Sequence, residues 1–189
     1  LHDALPISRA NIVTPANHAG ASAAVEYLVN QGYQNFAYIT GEMNSSSNME
    51  RQLGFLSRVS ELGYESPLVL PGDYTYESGV AALEQLLPQI NAPYGVVCAN
   101  DLMAMGVIDA ARIAHVRVPD DLGIIGFDNN FMSNWPVYQL SSMEQPSDEL
   151  VECGIRTLLE KIDHQDMSPS IVQLDFKLIE RQSAKLKHT

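Results

Sequence analysis

Apolar residues recur along the chain in two patterns, which together predict strands separated by helices. Short runs at 36–40, 95–99 and 122–127 are apolar at nearly every position, as expected for strands buried on both faces of a sheet. The segments between these runs carry apolar residues at helical spacing. Buried strands that alternate with helices of ten or more residues predict an α/β fold with a doubly wound parallel sheet.

The remaining elements follow from the same patterns and from turn residues. We predict helices over 19–29, 47–62, 77–87, 102–114 and 147–162, and further strands over 68–70, 140–143, 171–176 and 178–179. The polar segment 129–138 is predicted to be a long loop over the carboxyl edge of the sheet. Two helix starts carry capping signals: Ser47 has capping-box spacing to Glu50, and Asp101 precedes an apolar helical run. In the helix over 47–62, the predicted apolar face consists of Leu53, Leu56, Val59 and Leu62.

The charge balance limits what this chain binds. It has 189 residues, of which 46% are hydrophobic, with 23 acidic and 11 basic residues and a net charge of -12. Such a chain repels a phosphate backbone, so it is not expected to bind DNA unaided. No apolar run approaches the length of a transmembrane helix, so no membrane partner is predicted.

The two cysteines, Cys98 and Cys153, indicate no disulfide framework. Each lies in an apolar or helical run without a neighbouring histidine, so both are predicted to be buried structural thiols. Free thiols fit a reducing compartment, and the expected location is the cytoplasm.

The first residues have an unusual origin. The segment Leu1-His2-Asp3-Ala4-Leu5-Pro6-Ile7 resembles a translated sequencing adapter, so segment 1–8 is expected to be non-native and is excluded from fold reasoning.

Polar side chains follow the predicted strands at their carboxyl ends, where ligands bind in open parallel sheets. The candidates, in chain order, are Ser45, Ser47, Arg51, Asp73, Tyr74, Asn100, Asp101, Asp128 and Asn129. Arginine, asparagine, aspartate and one aromatic ring suit a sugar, whose hydroxyls need donors and acceptors and whose C–H face packs on a ring.

Catalysis is less well supported by the same residues. The sequence has no Gly-rich phosphate loop, no nucleophile elbow and no histidine at these strand ends, so a binding protein is predicted rather than an enzyme. The histidines show no metal-ligand spacing, and no metal or cofactor is predicted.

Two interpretations stay open for some of these residues. Ser47 is either a helix cap or a ligand contact, and Asp73 either contacts a ligand or makes a turn with Gly72. Arg51 is either a solvated surface arginine or a ligand contact, and its place beyond a strand end favours the contact. Asp128 is equally compatible with a turn and with a binding role.

Four sequence strings, in order and with consistent spacing, resemble the LacI/GalR family of transcriptional regulators. They are ERQLGF at 50–55, NDLMAMG at 100–106, VPDDLGIIGFDN at 118–129 and LIERQS at 178–183. The match runs from about Ile12 to Ser183. It implies a periplasmic-binding-protein-like type I effector domain of two lobes. A sugar or other effector closes the lobes and alters operator binding by an N-terminal helix-turn-helix, in a protein that forms homodimers.

The resemblance also assigns roles to residues. By position, Arg51, Asn100 and Asp128 match the usual effector contacts of the family, and Tyr74 matches an aromatic residue that packs on the ligand. Ser45 and Ser47 fall where some members place further contacts. The Ala99-Asn100-Asp101 form looks more like sugar-responsive than purine-responsive members. The departure is Ala16-Asn17, where members often carry Asp-Asn.

The family's two-lobed architecture implies how the chain is divided. Residues 17–143 and 177–189 are expected to form the C-terminal lobe, and 9–16 with 144–176 a remnant of the N-terminal lobe. The DNA-binding part and the opening strands of that lobe are expected to precede this chain. The helix over 147–162 has an apolar stripe at Val151, Ile155, Leu158 and Ile162, which is therefore expected to be exposed.

Two other classes of protein share this fold. A periplasmic sugar-binding protein of a transporter has the same strand-end site, and an α/β enzyme is a third possibility because fold alone does not exclude it. The LIERQS string, the free cysteines and the sequence around 125–129 favour the regulator.

Overall fold

The computed structural model describes residues 10–64, 66–90, 93–163 and 168–186, so the adapter-like segment lies outside the described residues. Strands and helices alternate through most of this range. Their bounds are β1 (Ile12–Pro15), α1 (Asn17–Gln31), β2 (Asn35–Ile39), α2 (Ser46–Glu61), β3 (Leu68–Leu70), α3 (Tyr76–Leu86), β4 (Tyr94–Cys98), α4 (Asp101–Ile113), β5 (Leu122–Phe127), β6 (Ser141–Glu144), α5 (Ser147–Asp163), β7 (Ile171–Leu174) and β8 (Lys177–Ile179).

Six strands form the larger sheet, in the order β3-β2-β4-β5-β6-β8. The pairs from β3 to β6 are parallel, and β8 pairs antiparallel with β6. The helices pack closely because glycines remove the side chain at the contacts. A Cβ atom on Gly54 of α2 would lie 2.2 Å from the His18 carbonyl oxygen of α1, and one on Gly79 of α3 would lie 2.1 Å from the Met103 carbonyl oxygen of α4. The predicted doubly wound α/β architecture is confirmed.

A second sheet contains β1 and β7, which pair in parallel with Ile12 opposite Ile171 and Pro15 opposite Leu174. Helix α5 lies against β1, and Cys153 is the residue that it buries. The side chains of its predicted stripe are 55% to 61% exposed, namely Val151, Ile155, Leu158 and Ile162. The prediction that this stripe is exposed is confirmed.

The start of α2 differs from the prediction. The cap is Ser45, whose Oγ accepts a hydrogen bond from the Asn48 amide at 3.3 Å, so the assignment of Ser47 as the cap was wrong. The buried Asn48 accounts for the difference, because its Oδ1 accepts from the Gly41 amide at 2.7 Å and from the Tyr38 hydroxyl at 3.2 Å. These bonds tie the first turn of α2 to the end of β2, and the helix therefore begins earlier. Glu50 bonds to Asn17.

The buried face of α2 also differs in part. Arg51, Phe55 and Val59 are buried on this helix, at i, i+4 and i+8, whereas Leu53 and Leu62 are exposed. The predicted face was therefore wrong for these two leucines. The prediction assumed that the buried face contains only apolar residues, but the charged Arg51 also lies on it.

The start of α4 is displaced by one residue. Asn100 is the cap, with its Oδ1 accepting from the Met103 amide at 3.0 Å, so the assignment of Asp101 as the cap was wrong. Asp101 lies in the first turn and is almost fully buried.

Two further sequence predictions concern burial and the polar segment. Cys98 and Cys153 are both buried, as predicted, and burial raises the pKa of the Cys98 thiol. The segment 129–138 contains a short 3-10 helix at Phe131–Asn134. In the part of the chain that the structure describes, no helix is both long and apolar enough to cross a membrane.

Candidate functional site

The predicted site residues lie at the carboxyl edge of the larger sheet, and hydrogen bonds connect most of them. Arg51 reaches from the first half of α2 to the end of β4, where its Nη1 donates to the Ala99 carbonyl oxygen at 2.5 Å. The next residue, Asn100, donates through Nδ2 to the Tyr74 carbonyl oxygen at 2.9 Å. The Tyr74 hydroxyl in turn donates to Ser45 Oγ at 2.9 Å.

Arg51 is 5% exposed and is held on several sides. Its Nε donates to Asn17 Oδ1 at 2.8 Å, and its Nη2 lies 3.6 Å from Asp128 Oδ1. The guanidinium carbon lies 4.3 Å from the ring centroid of Phe127, a cation–π distance. A buried arginine is stable only when its charge and donors are matched, and these contacts match them. Arg51 therefore orients other site residues.

Asp128 lies just beyond β5 with its side chain 48% exposed. Its backbone has φ 98°, followed by Asn129 at 48°, so the chain turns sharply through the left-handed region. The Asp128 amide donates to the Met143 carbonyl oxygen, and the Asn129 amide donates to Ser142 Oγ, both at 2.9 Å. Partial burial raises the pKa of Asp128 and the Arg51 charge opposes the rise. The half-exposed carboxylate is a hydrogen-bond acceptor available to a ligand.

Tyr74 provides the aromatic surface of the site. Its ring lies against Gly41, where an added Cβ would be 2.1 Å from Tyr74 Cζ, so a side chain at position 41 would displace the ring. The backbone of Tyr74 has φ 70°, a left-handed conformation that is unusual for an aromatic residue. The ring contact and the bond to Ser45 hold the half-buried Tyr74 in this conformation.

Ser47 and Asp73 are less closely connected to the cluster. The half-buried Ser47 makes no side-chain hydrogen bond to another described residue. Asp73 is exposed and accepts from the Thr75 amide at 3.0 Å, which favours its interpretation as a turn residue. The Thr75 and Ser78 hydroxyls hold the pKa of Asp73 below its usual value.

Asp101 has a structural role that sequence reasoning missed. Its Oδ2 accepts from the Asn130 amide at 2.6 Å and from Ser133 Oγ at 2.8 Å, and its Oδ1 accepts from Ser142 Oγ at 2.7 Å. Burial raises its pKa to about 6, although these hydrogen bonds lower it. Asp101 thus connects α4, β6 and the turn after Asp128. The available signal was Ser142, a polar residue in the predicted strand 140–143.

Asn17 was also missed as a site residue, since the sequence singled it out only as part of a departure from the family pattern. It is almost fully buried and donates through Nδ2 to Glu50 Oε2 at 3.1 Å while accepting from Arg51. The strand-end rule did not reach Asn17, because the sequence analysis predicted no strand before it.

A groove of about 420 Å³ opens beside Asp128 and Asn129. Glu144, Asp148 and Glu149 line its other side. Glu144 Oε1 accepts from Asn129 Nδ2 at 2.7 Å. Across residues 10–64, 66–90, 93–163 and 168–186, no group of three or more histidine, cysteine or acidic side chains is arranged to hold a metal ion.

The fold and the strand-end site define the class of this protein. The sequence pattern of the periplasmic binding protein-like domain matches residues 25–184, and the chain belongs to that family.

Its relatives within this class are transcriptional regulators. The chain is 34% identical over 176 residues to catabolite control protein A of Priestia megaterium, covering 92% of this chain and 53% of that protein. It is 34% identical over 167 residues to the HTH-type transcriptional repressor PurR of Serratia proteamaculans, covering 87% of this chain and 49% of that protein. The chain thus spans about half the length of these curated relatives.

Solved structures give the same result. The transcriptional regulator CelR in complex with cellobiose superposes with a TM-score of 0.86 at 28% identity, over 95% of this chain and 56% of that one. A LacI-family sugar-binding transcriptional regulator from Escherichia coli complexed with phosphate gives 0.81 at 32% identity, over 89% and 61%. A LacI-family regulator from Enterococcus faecium with bound ribose gives 0.81 at 26% identity, over 94% and 66%. These neighbours confirm the predicted periplasmic-binding-protein-like type I fold, and they support a regulator's binding domain over a transport protein or an enzyme.

Proposed function

We propose that this chain is the effector-binding domain of a LacI/GalR-type transcriptional regulator and that its effector is a sugar. The observation that carries the proposal is the linked set of Arg51, Asp128, Asn100 and Tyr74 at the carboxyl edge of the larger sheet. A carboxylate, an amide and an aromatic face at one edge are the groups that a sugar uses. The similar structures that hold cellobiose and ribose support the same class of ligand.

Each residue has a specific role in this proposal. Asp128 accepts hydrogen bonds from ligand hydroxyls, and the charge of Arg51 favours the ionised form of that carboxylate and orients it. Tyr74 packs on the C–H face of the sugar. The proposed ligand-binding residues also include Asn100, Ser45 and Ser47. The Ser47 hydroxyl has no hydrogen-bond partner among the described residues.

The two sheets support a two-lobed organisation. We propose that 17–143 with 177–189 is the C-terminal lobe, which contains the larger sheet, and that 9–16 with 144–176 belongs to the N-terminal lobe. The pairing of β1 with β7, outside the larger sheet, supports this division. The effector would close the two lobes and so alter operator binding by a helix-turn-helix N-terminal to this chain, in a cytoplasmic homodimer.

The second candidate is a periplasmic sugar-binding protein of a transporter, which has the same fold and strand-end site. The gene sequence upstream of this chain distinguishes the two. A helix-turn-helix there supports the regulator, whereas a secretion signal supports the transport protein.

Substitution tests the site in the complete gene product. A thermal-shift screen of mono- and disaccharides first identifies a ligand, because a ligand that binds only the native state raises Tm. Calorimetric titration of that ligand should then show that Asp128→Ala and Arg51→Ala each bind it more weakly, by about 1–3 kcal/mol. The first substitution leaves a ligand hydroxyl unpaired, and the second removes the partner that orients Asp128. Tyr74→Ala should weaken binding through lost packing on the ring.

Controls separate these effects from damage to the fold. Asp128→Asn keeps the shape of a half-exposed side chain and should bind more weakly than wild type without a lower Tm. Glu84→Ala, on the exposed side of α3, should leave affinity unchanged. Unchanged affinity in both Asp128→Ala and Arg51→Ala would remove the site assignment.

A separate test asks whether this chain binds DNA without the proposed helix-turn-helix. The 189-residue chain has a net charge of -12 and should not shift operator DNA, because this charge repels the phosphate backbone. A gel shift at nanomolar concentration and physiological salt with this chain alone would contradict the proposal.

A further inference from the structure

Three helices begin at the candidate site, and helix N-termini are common binding sites for phosphates. In this protein each start is capped by the helix's own side chain. Ser45 Oγ accepts from the Asn48 amide at 3.3 Å in α2, and Thr75 Oγ1 accepts from the Ser78 amide at 3.2 Å in α3. The third start, that of α4, is capped by Asn100. Each cap occupies one of the amides that an anion would otherwise use.

The turn after β5 is a second place where an anion could bind, because successive backbone amides in a left-handed turn can surround one. Here the amides of Asp128, Asn129 and Asn130 all donate to the protein. Their acceptors are the Met143 carbonyl oxygen, Ser142 Oγ and Asp101 Oδ2. This turn therefore offers no free amides to a phosphate.

Arginine side chains are the third means of binding an anion. Arg51 is 5% exposed, donates to Asn17 and Ala99, and faces the carboxylate of Asp128. Arg181 donates to the Leu140 carbonyl oxygen at 2.6 Å and to Asn129 Oδ1 at 2.8 Å. Both guanidinium groups are already engaged by protein acceptors.

The groove beside the site adds negative charge. Four carboxylate residues line it: Asp128, Glu144, Asp148 and Glu149. Lys177 of β8 is a nearby cation, because it is the register partner of Glu144. A phosphate ester carries a charge of about −1.5 to −2 at pH 7, so bringing it to this groove is unfavourable. Hydroxyl and ammonium groups are donors, and carboxylates accept from both.

We propose that the effector has no phosphate or carboxylate group and is a neutral sugar, with an amine tolerated in place of a hydroxyl. This inference rests on the proposed function, because it concerns the ligand of the same site. It assigns Asp128 and Glu144 a part in selection, since their charges repel anionic sugars that would otherwise fit.

Matched sugars test the inference in the complete gene product. The probes are glucose, galactose, ribose and cellobiose, with glucose 6-phosphate, galactose 6-phosphate, ribose 5-phosphate, glucosamine and galactosamine as charged counterparts. Thermal shift and calorimetry should show a neutral sugar binding about tenfold or more tightly than its phosphate ester, because the carboxylates of the groove repel the charged ester. The corresponding amino sugar should bind at least as well as that ester.

The outcomes separate the two proposals. A phosphate ester that binds as tightly as its parent sugar, or more tightly, would overturn this inference and leave the proposed function standing. If no sugar in the set binds in any form, the proposed function fails and the inference fails with it.

The variant Glu144→Gln tests the assigned charge directly. It removes a carboxylate from the groove while its side-chain oxygen can still accept from Asn129. We expect the ratio of affinities for the neutral sugar and its phosphate ester to fall at least threefold. Glu84→Gln makes the same change on the exposed side of α3 and should leave the ratio unchanged. If the ratio of affinities for the neutral sugar and its phosphate ester is the same in wild type and both variants, Glu144 has no part in the selection and its assignment is wrong.

Discussion

The larger and smaller sheets contain similar apolar patterns but bury them to very different extents. Strand β5 is buried at every residue, and α4 buries apolar side chains around most of its surface. Strand β7 alternates between exposed and half-buried residues, and α5 leaves its apolar stripe open. The difference shows that an amphipathic pattern states which face a helix can bury, whereas burial depends on a second element that covers the face.

The difference has an energetic consequence. Burying a leucine or isoleucine side chain contributes about 1.5–3 kcal/mol. The stripe of α5 forgoes most of that contribution while it faces solvent, and an apolar surface of this kind favours association with another surface. The larger sheet and its four helices should therefore contain most of the stability of the chain.

Hydrogen exchange should give the largest contrast between the two regions. Amides of Val96, Val97 and Cys98 in β4 and of Ile124 to Phe127 in β5 should exchange only through global unfolding, whereas those from Leu150 to Asp163 and in β7 should exchange through local opening. Protection factors should differ by orders of magnitude when exchange is followed by mass spectrometry. Equal protection in both regions would mean that α5 and β7 unfold together with the larger sheet.

The same substitution in two helices should give the next largest effect. Leu83 of α3 is 1% exposed and Leu158 of α5 is 61% exposed. Denaturant unfolding should show Leu83→Ala destabilised by about 2–5 kcal/mol, because a cavity forms, and Leu158→Ala changed by less than about 0.5 kcal/mol. A large cost for Leu158→Ala would show that another surface covers α5 in solution.

The buried carboxyl of the larger region should make stability depend on pH. The pKa of Asp101 is raised from 3.8 to about 6, so its stabilising contribution is fully present below about 3.8 and is lost as pH rises through 6.

Asp101→Asn removes this dependence and leaves one of the three donors without its acceptor, at a cost of about 1–3 kcal/mol at pH 7. The difference in free energy of unfolding, wild type minus Asp101→Asn, should therefore increase as the pH is lowered from about 7 to about 5. Denaturant titration at each pH measures this difference. A flat difference for Asp101→Asn would argue against a raised pKa.

The smallest expected change in stability is in the stripe itself. Ile155→Lys places a charge on an exposed face, so the free energy of unfolding should change by less than about 0.5 kcal/mol. Self-association should decrease, because the apolar patch is interrupted. Light scattering against concentration measures this, with Arg156→Lys on the same helix as the control. Unchanged association in Ile155→Lys would show that the stripe does not drive it.

Much of the fold could be predicted because, in the larger sheet, the spacing of apolar residues in the sequence agrees with which residues are buried. The predicted boundaries of β4, β5, α3 and α4 lie within about two residues of the observed ones, since apolar runs there are ended by polar or turn residues. The two helix caps were wrong because Ser45 and Ser47, or Asn100 and Asp101, are equally good caps by residue type. Contacts from distant parts of the chain decide between them, as Asn48 does for α2.

The candidate site was predicted through its strand-end positions, and its supporting residues were not. Arg51, Tyr74, Asn100 and Asp128 each follow a strand, which the sequence shows. Asn17 and Asp101 act through partners 34 and 29 residues away along the chain, such as Arg51 and Asn130. The spacing of residues along a helix or strand does not indicate pairs so far apart, so these pairs are seen only in the folded chain.

The left-handed backbone at Tyr74, Asp128 and Asn129 restricts how this site can be redesigned. Residues with positive φ tolerate glycine, asparagine and aspartate far better than β-branched side chains, so few alternatives fit at these positions. Ser45 and Asn100 have φ of -79° and -151°, which most residues adopt. Libraries that aim to change the ligand should therefore randomise Ser47 freely and keep the backbone-restricted positions fixed. Ser45 and Asn100 should be varied only among residues that can cap α2 and α4.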